Sequence, residues 1–197
     1  MARRILHDAY FKKAKAEGYL ARSAYKLQQI QESKRIIRAG DRVLDLGCAP
    51  GAWLQVAAEI AGPDGVVVGI DLKPVEAPMP ENVFHLVGDV YTADPAQLRG
   101  QSGRPFDVVL SDMAPSTTGH GDDLVSARLC DRVIEMLPTL LRPGGNLAMK
   151  ILEGGDTPRI LKQLQRLFGT ARAFKPDASR DVSRETYLIG TGYAPHP

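Results

Sequence analysis

The sequence VLDLGCAPGAW, residues 43–53, is the most informative segment of this chain. It begins as a short apolar run, passes through a turn of small residues and continues with helical apolar periodicity, which predicts a strand, a tight turn and a helix start. Gly47 and Gly51 have no Cβ, so the backbone of the turn can approach a ligand closely. Open α/β sheets bind ligands at the carboxyl ends of their strands. The stretch therefore predicts a ligand-binding corner, and the alternative is an ordinary strand-turn-helix with incidental glycines.

The next predicted strand, VVVGIDL at 66–72, places Asp71 where a carboxylate can accept hydrogen bonds from ribose hydroxyls. A dinucleotide site would also need G-x-G-x-x-G to bring a helix N-terminus to a pyrophosphate, and the turn at 47–51 has one glycine too few. The sequence contains no G-x-x-x-x-G-K-[ST] phosphate loop. The expected ligand is therefore a nucleoside without a phosphate, and S-adenosyl-L-methionine is the common molecule of that kind.

Strands and helices alternate after Gly40, which predicts a parallel sheet with helices on both faces. Parallel strands are expected at 42–47, 66–71, 83–88, 106–111 and 145–151, and helices at 51–61, 93–99, 122–141 and 157–168. The last two strands, near 171–175 and 185–192, have no room for a crossover helix between them and are predicted to be antiparallel. The sequence therefore predicts a mostly parallel seven-stranded sheet that ends in a C-terminal antiparallel pair.

Length and composition favour a single globular unit. The 197 residues are 44% hydrophobic and 24% charged, which is enough for a full core. No apolar run reaches the roughly 18 residues of a membrane span, and the basic N-terminus lacks the features of a signal peptide. Cys48 and Cys130 have neither metal-ligand nor disulfide spacing, and none of the four histidines is placed to hold a metal. We expect a cytoplasmic protein without a metal.

Basic residues are concentrated in front of the ligand-binding corner. Residues 1–42 hold eleven Lys or Arg against four Asp or Glu, so the remainder carries a net charge of −5 within a total of +2. Such asymmetry indicates a polyanionic partner, and the alternative is a solvated helix face. Residues 1–40 are expected to form a basic helical segment packed on a catalytic domain at 41–197. One or two helices are expected from Asp8 to about Ile37, broken at Gly18, with Phe11 and Tyr25 in the core.

Cations and aromatic residues alternate in this segment, as a nucleic-acid surface requires. The candidate RNA-binding residues are Arg3, Arg4, Lys12, Lys13, Arg22, Lys34, Arg35 and Arg38.

Polar residues and one glycine lie at the carboxyl ends of successive parallel strands and should converge at one edge of the sheet. They are Asp45, Gly47, Asp71, Asp89, Asp112 and Lys150. Lys150 lies in the apolar strand LAMKIL, where an ammonium is costly unless it is paired or deprotonated, and Asp112 is its expected partner. The alternative for Lys150 is a snorkelling lysine at a strand end. The pair Asp89-Val90 suits an adenine contact, although Asp89 could instead cap the following segment.

The chain resembles the FtsJ-type ribosomal RNA 2′-O-methyltransferases over nearly its whole length. The resemblance is carried by ARSAYKLQQI at 21–30, DLGCAPGAW at 45–53, GIDLKP at 69–74, SDMAPSTTG at 111–119, MKILEGG at 149–155 and KPDASRDVSRETYLIGTG at 175–192. It implies a Rossmann-like class I methyltransferase fold and a Lys-Asp-Lys-Glu tetrad, which Lys26, Asp112, Lys150 and Glu185 match. Ala52 departs from the commoner APGGW motif, and we expect only a modest change in the geometry of the turn.

The resemblance and the corner together define the expected site. The candidate cofactor-binding residues are Gly47, Ala49, Pro50, Gly51, Trp53, Asp71, Leu72, Asp89, Val90 and Asp112. Lys150 is the expected proton acceptor, or the group that stabilises the emerging alkoxide, and Asp112 would orient it. Lys26 and Glu185 would position the ribose and balance the charge.

The activity implied is methyl transfer from S-adenosyl-L-methionine to a ribose 2′-hydroxyl of RNA, leaving S-adenosyl-L-homocysteine. The resemblance favours a uridine in the A-loop of 23S rRNA within the large ribosomal subunit, with no obligate protein partner. A tRNA anticodon loop is the alternative substrate. A silent RNA-binding assembly factor should have lost tetrad residues, and a small-molecule methyltransferase is disfavoured by the basic N-terminus and the lack of a capping insert.

Overall fold

The computed structural model describes residues 2–115, 121–179 and 183–194, with side chains from Ala9 onward within these ranges. The helices are α1 (Ala2–Ala16), α2 (Ala24–Lys34), α3 (Ala52–Ala61), α4 (Pro95–Ser102), α5 (Asp122–Leu140) and α6 (Thr157–Leu167). The strands are β1 (Arg42–Leu46), β2 (Val66–Asp71), β3 (Val83–Val87), β4 (Phe106–Ser111), β5 (Leu141–Leu152), β6 (Phe168–Phe174) and β7 (Glu185–Tyr193).

The strands form one seven-stranded sheet in the order β3-β2-β1-β4-β5-β7-β6. The first five strands are parallel, with Leu44 of β1 in register with Val68 of β2 and Val109 of β4. Strand β7 runs antiparallel to both β5 and β6. The predicted parallel sheet with its C-terminal antiparallel pair is therefore confirmed. The strand order reverses between β1 and β4, and this switch point is where such sheets bind ligands.

Two apolar layers cover the central strands, one on each face of the sheet. Val68 and Val109 pack with Leu137 of α5 on one face, and Val67 packs with Leu54 of α3 on the other. Strand β1 is buried from Val43 to Leu46, as a parallel strand covered on both faces must be. Burial of these side chains stabilises the fold by roughly 1.5–3 kcal/mol for each large one, and it holds the carboxyl ends of the strands rigidly in place.

The helix predicted at 93–99 begins and ends later than expected, because of its caps. Asp94 is the N-cap residue, and its side chain accepts a hydrogen bond from the backbone N–H of Ala96 at 2.9 Å. Pro95 follows at the first helical position, and Gly103 ends the helix with a φ of 75°. Two strands also begin earlier than predicted, β5 at Leu141 and β6 at Phe168.

The N-terminal segment forms two helices, with Gly18 at a φ of 80° between them. Tyr25 is 3% exposed, as predicted, and its ring lies 5.3 Å from that of Tyr10 and 5.9 Å from that of Tyr19. The prediction for Phe11 is wrong, since its side chain is 62% exposed. Tyr10 and the buried Ala14 pack with Tyr25 and lie one turn apart on α1, which directs the neighbouring Phe11 toward solvent.

None of the described helices combines the length and the apolar character that crossing a membrane requires.

Candidate active site

A cavity of about 430 Å³ opens at the carboxyl ends of β1, β2 and β4, next to the switch point of the sheet. It is lined by Gly47, Ala49, Asp71, Leu72, Lys73, Gly88, Asp89, Val90, Tyr91, Asp112, Met113, Ala114 and Leu129. Seven of the predicted cofactor-binding residues are among them: Gly47, Ala49, Asp71, Leu72, Asp89, Val90 and Asp112. The ends of β1, β2, β3 and β4 bring these seven residues together around one cavity.

The other three predicted cofactor-binding residues, Pro50, Gly51 and Trp53, are not among the lining residues. Gly51 is buried in apolar packing, and a Cβ there would lie 2.5 Å from Cε of Met79. The cofactor role of these three residues stays a prediction.

Asp71 holds the edge of the cavity in shape. Its carboxylate accepts the backbone N–H of Ala49 at 3.0 Å and that of Lys73 at 2.9 Å. The first bond ties the turn after β1 to the end of β2. A carboxylate has about four lone-pair positions, so two such bonds leave Asp71 able to accept from the vicinal hydroxyls of a ribose.

The remaining walls fit the nucleoside part of S-adenosyl-L-methionine. Leu72 and Tyr91 present apolar surface, 67% and 49% exposed, that a flat base could cover. The carboxylate of Asp89 accepts the backbone N–H of Tyr91 at 2.9 Å, so Asp89 both caps its turn and lines the cavity. At Gly47 a Cβ would lie 2.5 Å from Cγ of Met113, which follows β4. Only glycine therefore allows the backbone of the turn to pass this close to Met113.

The four tetrad residues lie together as two buried ion pairs. The ammonium of Lys150 is 3.0 Å from Oδ1 of Asp112 and donates to the Asp112 backbone carbonyl at 2.5 Å. The ammonium of Lys26, on α2, pairs with Oε1 of Glu185 at the start of β7. The lysine side chains are only 8% and 7% exposed, and each positive charge is matched by a carboxylate. Such pairing offsets the cost of taking these charges out of water.

Tyr187 joins the two pairs, and sequence reasoning missed it. Its hydroxyl donates to Oδ1 of Asp112 at 2.6 Å and lies 3.1 Å from Oε1 of Glu185. Burial and the two carboxylates raise the pKa of Tyr187 well above its ordinary value, so the phenol keeps its proton. Its signal in the sequence is its spacing: two residues after Glu185 on a strand, it faces the same side of the sheet.

Asp45 differs from the other strand-end residues. It is completely buried, lies outside the cavity lining, and neither carboxylate oxygen has a hydrogen-bond partner among the described residues. Burial raises the pKa of Asp45 well above its ordinary value, and the charges of Asp112 and Asp71 add to the effect. The expectation that Asp45 converges on the site with the others is therefore wrong: it is a buried acid outside the cavity lining, and it favours its neutral form.

The predicted RNA-binding cations are dispersed over the N-terminal segment. Lys12, Lys13, Lys34, Arg35 and Arg38 are exposed, and Arg22 is half-buried. The side chains of Arg3 and Arg4 lie outside the described part of the chain. The ammonium of Lys13 is 4.7 Å from the ring centroid of Tyr25, and that of Lys34 is 5.2 Å from the ring centroid of Phe174. Contact of this surface with RNA stays a prediction.

Among the described residues, no group of three or more His, Cys, Asp or Glu side chains could hold a metal ion.

The sheet order, the cavity at its switch point and the buried Lys-Asp pair beside it define a Rossmann-like methyltransferase. The model of the FtsJ-like methyltransferase family matches residues 19–193, and the chain belongs to this family.

Several named proteins are similar to most of this chain. A protein of Syntrophobacter fumaroxidans named ribosomal RNA large subunit methyltransferase E is 50% identical over 94% of this chain and 95% of its own. Among solved structures, a ribosomal RNA methyltransferase of Plasmodium falciparum has a TM-score of 0.79 and 26% identity, covering 89% of this chain and 98% of that one. Aeropyrum pernix fibrillarin was solved with S-adenosyl-L-methionine natively bound, and its structure has a TM-score of 0.64. It is 21% identical over 86% of this chain and 76% of its own, so the similarity supports the fold and nothing more.

Proposed function

We propose that this protein transfers a methyl group from S-adenosyl-L-methionine to a ribose 2′-hydroxyl of large-subunit ribosomal RNA, and that Lys26, Asp112, Lys150 and Glu185 carry the reaction. One observation carries the proposal: Asp112 both lines the cofactor cavity and pairs with the buried ammonium of Lys150. A residue shared in this way supports a proton-transfer group that acts next to the methyl donor.

The reaction needs alignment and the removal of one proton. When bound, S-adenosyl-L-methionine supplies a methyl group on positively charged sulfur, which is a strong electrophile. A ribose hydroxyl is a weak nucleophile at neutral pH, so a positioned base that accepts its proton accelerates attack, typically by 10²–10⁴-fold. The amine of Lys150 accepts the 2′-hydroxyl proton as the oxygen attacks the methyl carbon and the bond from that carbon to sulfur breaks. Asp112 then stabilises the ammonium that results, in the ion pair seen in the structure.

Lys26 and Glu185 hold the ribose. Lys26 reaches the site from α2, and Glu185 reaches it from the start of β7. The Lys26 ammonium has three donors, so it can keep its bond to Glu185 and donate to a sugar oxygen as well. With two lysines facing two carboxylates, the four side chains together add no net charge to the site.

The names of the relatives support ribosomal RNA as the substrate. Those names specify the large subunit, and they leave the tRNA anticodon loop without support. Within that RNA, the target of the proposal is a uridine ribose in the A-loop of 23S rRNA. The reaction takes place in the cytoplasm and needs no obligate protein partner.

The chain consists, in this proposed function, of a basic segment at residues 1–40 and a catalytic domain at residues 41–197. Leu27 and Ile30 of α2 are fully buried against the face of the sheet that α3 covers. This packing supports a segment that both supplies Lys26 and carries the cations that meet RNA.

Methyl-labelled S-adenosyl-L-methionine tests the proposal. The purified protein is incubated separately with large ribosomal subunits and 23S rRNA from cells lacking this methylation, and with total tRNA. We expect label in the ribosomal RNA, recovered as a 2′-O-methylated uridine after nuclease digestion. Label in tRNA alone, or on a base, would overturn the proposal.

A further inference from the structure

We infer that the side chain of Trp53 is a positioning residue, which aligns Lys26 with the acids of the site by contacting α2 and Tyr187. The inference rests on the proposed function of the tetrad. It gives the Trp53 ring a task other than binding the cofactor, whose cavity it does not line.

The first contact is to the helix that carries Lys26. Trp53 is 2% exposed in the first turn of α3, and its Nε1–H donates to the backbone carbonyl of Ser23 at 2.8 Å. The same carbonyl accepts the backbone N–H of Lys26 at 3.0 Å. Ser23 is the N-cap residue of α2 and makes no side-chain cap hydrogen bond. One carbonyl oxygen therefore holds both the indole and the backbone of Lys26, which fixes where α2 begins.

The second contact is to the residue that joins the acids. The rings of Trp53 and Tyr187 are stacked, with centroids 5.6 Å apart and planes inclined by 30°. Tyr187 is paired with Lys150 across β5 and β7, and its hydroxyl bonds Asp112. The indole thus lies between the α2 lysine on one side and the tyrosine that orients the acids on the other.

This arrangement predicts a loss of rate without a loss of cofactor affinity. Catalysis depends on reacting groups held within a fraction of an ångström, and a misplacement of about 1 Å can cost 10²-fold in rate. The variant Trp53→Phe keeps an aromatic ring against Tyr187 but has no N–H for the Ser23 carbonyl. We expect its kcat, at saturating RNA and S-adenosyl-L-methionine, to fall by roughly 10–100-fold, with the Kd for S-adenosyl-L-methionine unchanged.

Val56→Ala is the matched control. Val56 is 1% exposed on the same helix, so this variant also loses buried apolar volume, and it removes no hydrogen bond to α2. We expect it to retain kcat at a temperature where both variants are folded. A rise in the Kd of Trp53→Phe for S-adenosyl-L-methionine that matches its loss of rate would overturn the inference, as would an equal loss of kcat in Val56→Ala.

Fluorescence tests the same contacts without any methyl transfer. Trp53 is the only tryptophan of the chain, so emission excited at the red edge of tryptophan absorption, where the six tyrosines do not absorb, reports on its surroundings. Lys26→Met and Tyr187→Leu should each change the emission spectrum, whereas Arg99→Ala on exposed α4 should not. An unchanged spectrum in both site variants would contradict the positioning role. Failure of the wild-type protein to methylate any RNA would instead count against the proposed function.

Discussion

Single side chains decide the chemistry, and Lys150 is the first to test. Replacing Lys150 with alanine should abolish methyl transfer, because it removes the proton acceptor, while S-adenosyl-L-methionine still binds in a cavity that Lys150 does not line. Lys150→Arg should also be inactive, since arginine keeps the positive charge but cannot give up its proton at neutral pH. Single-turnover methylation and calorimetric titration with S-adenosyl-L-methionine measure the two quantities. Wild-type turnover in Lys150→Ala would remove the assignment.

The hydroxyl of Tyr187 should matter for rate more than for folding. Tyr187→Phe keeps the buried ring but leaves Asp112 and Glu185 without this donor. A hydrogen bond to a charged group contributes roughly 1.5–3 kcal/mol, so kcat should fall by roughly 10–100-fold if the bond orients the reacting groups. Tyr193→Phe, at a buried position on the same strand, is the control. Equal kcat in Tyr187→Phe and the control would show that the hydroxyl is dispensable.

We expect Asp45 to affect the stability of the protein rather than the rate of methyl transfer. Its pKa is raised in the folded protein, so the protonated acid is tolerated below its unfolded pKa of about 3.9, and its contribution to stability is lost as pH rises through the folded pKa. Asp45→Asn cannot ionise and should escape this loss. We expect the Tm of the variant, measured by calorimetry, to gain on that of the wild type as pH rises from the unfolded pKa toward the folded one. A margin independent of pH would contradict the buried neutral acid.

At the level of secondary structure, the sequence predicted the strands and the binding corner well, because apolar runs and turn residues are local signals. It did not predict the roles of Trp53, Tyr187 and Asp45. Trp53 and Tyr187 are far apart in the chain. Their rings stack only because α3 packs on the face of the sheet toward which the Tyr187 side chain points. The burial of Asp45 depends likewise on what covers β1. Phe11 was mispredicted because its hydrophobicity does not tell which face of α1 packs on Tyr25.

Helix α2 and the turn after it should contribute to RNA affinity through charge. Arg35 and Arg38 are exposed there, so each can neutralise a phosphate and release counterions. Replacing both with alanine should weaken RNA binding and reduce the slope of log K against log salt by about 0.7–0.9 for each lost contact. Arg99→Ala, an exposed cation on α4, should leave both quantities unchanged. Filter binding at several salt concentrations measures the slope, and equal slopes in all three proteins would exclude this surface.

Over the whole molecule, net positive and net negative charge lie in two different parts of the chain. Residues 1–42 carry a net charge of +7, and the remaining residues carry −5. The cofactor cavity opens among the acids at the strand ends, while the cations precede it in α1, α2 and the turn that follows. Such a division suits a catalyst that binds a positively charged methyl donor in one region and a polyanion in another.

The central claim is that the buried lysines and acids act on a ribose hydroxyl next to the cofactor cavity. Its most direct test compares a short A-loop RNA with the same RNA carrying a 2′-deoxy sugar at the target uridine, each incubated with the wild-type protein and methyl-labelled S-adenosyl-L-methionine. We expect label in the ribose of the first RNA and none in the second. Equal labelling of the two RNAs would contradict it, because the methyl group would then be going to an atom other than the 2′-oxygen.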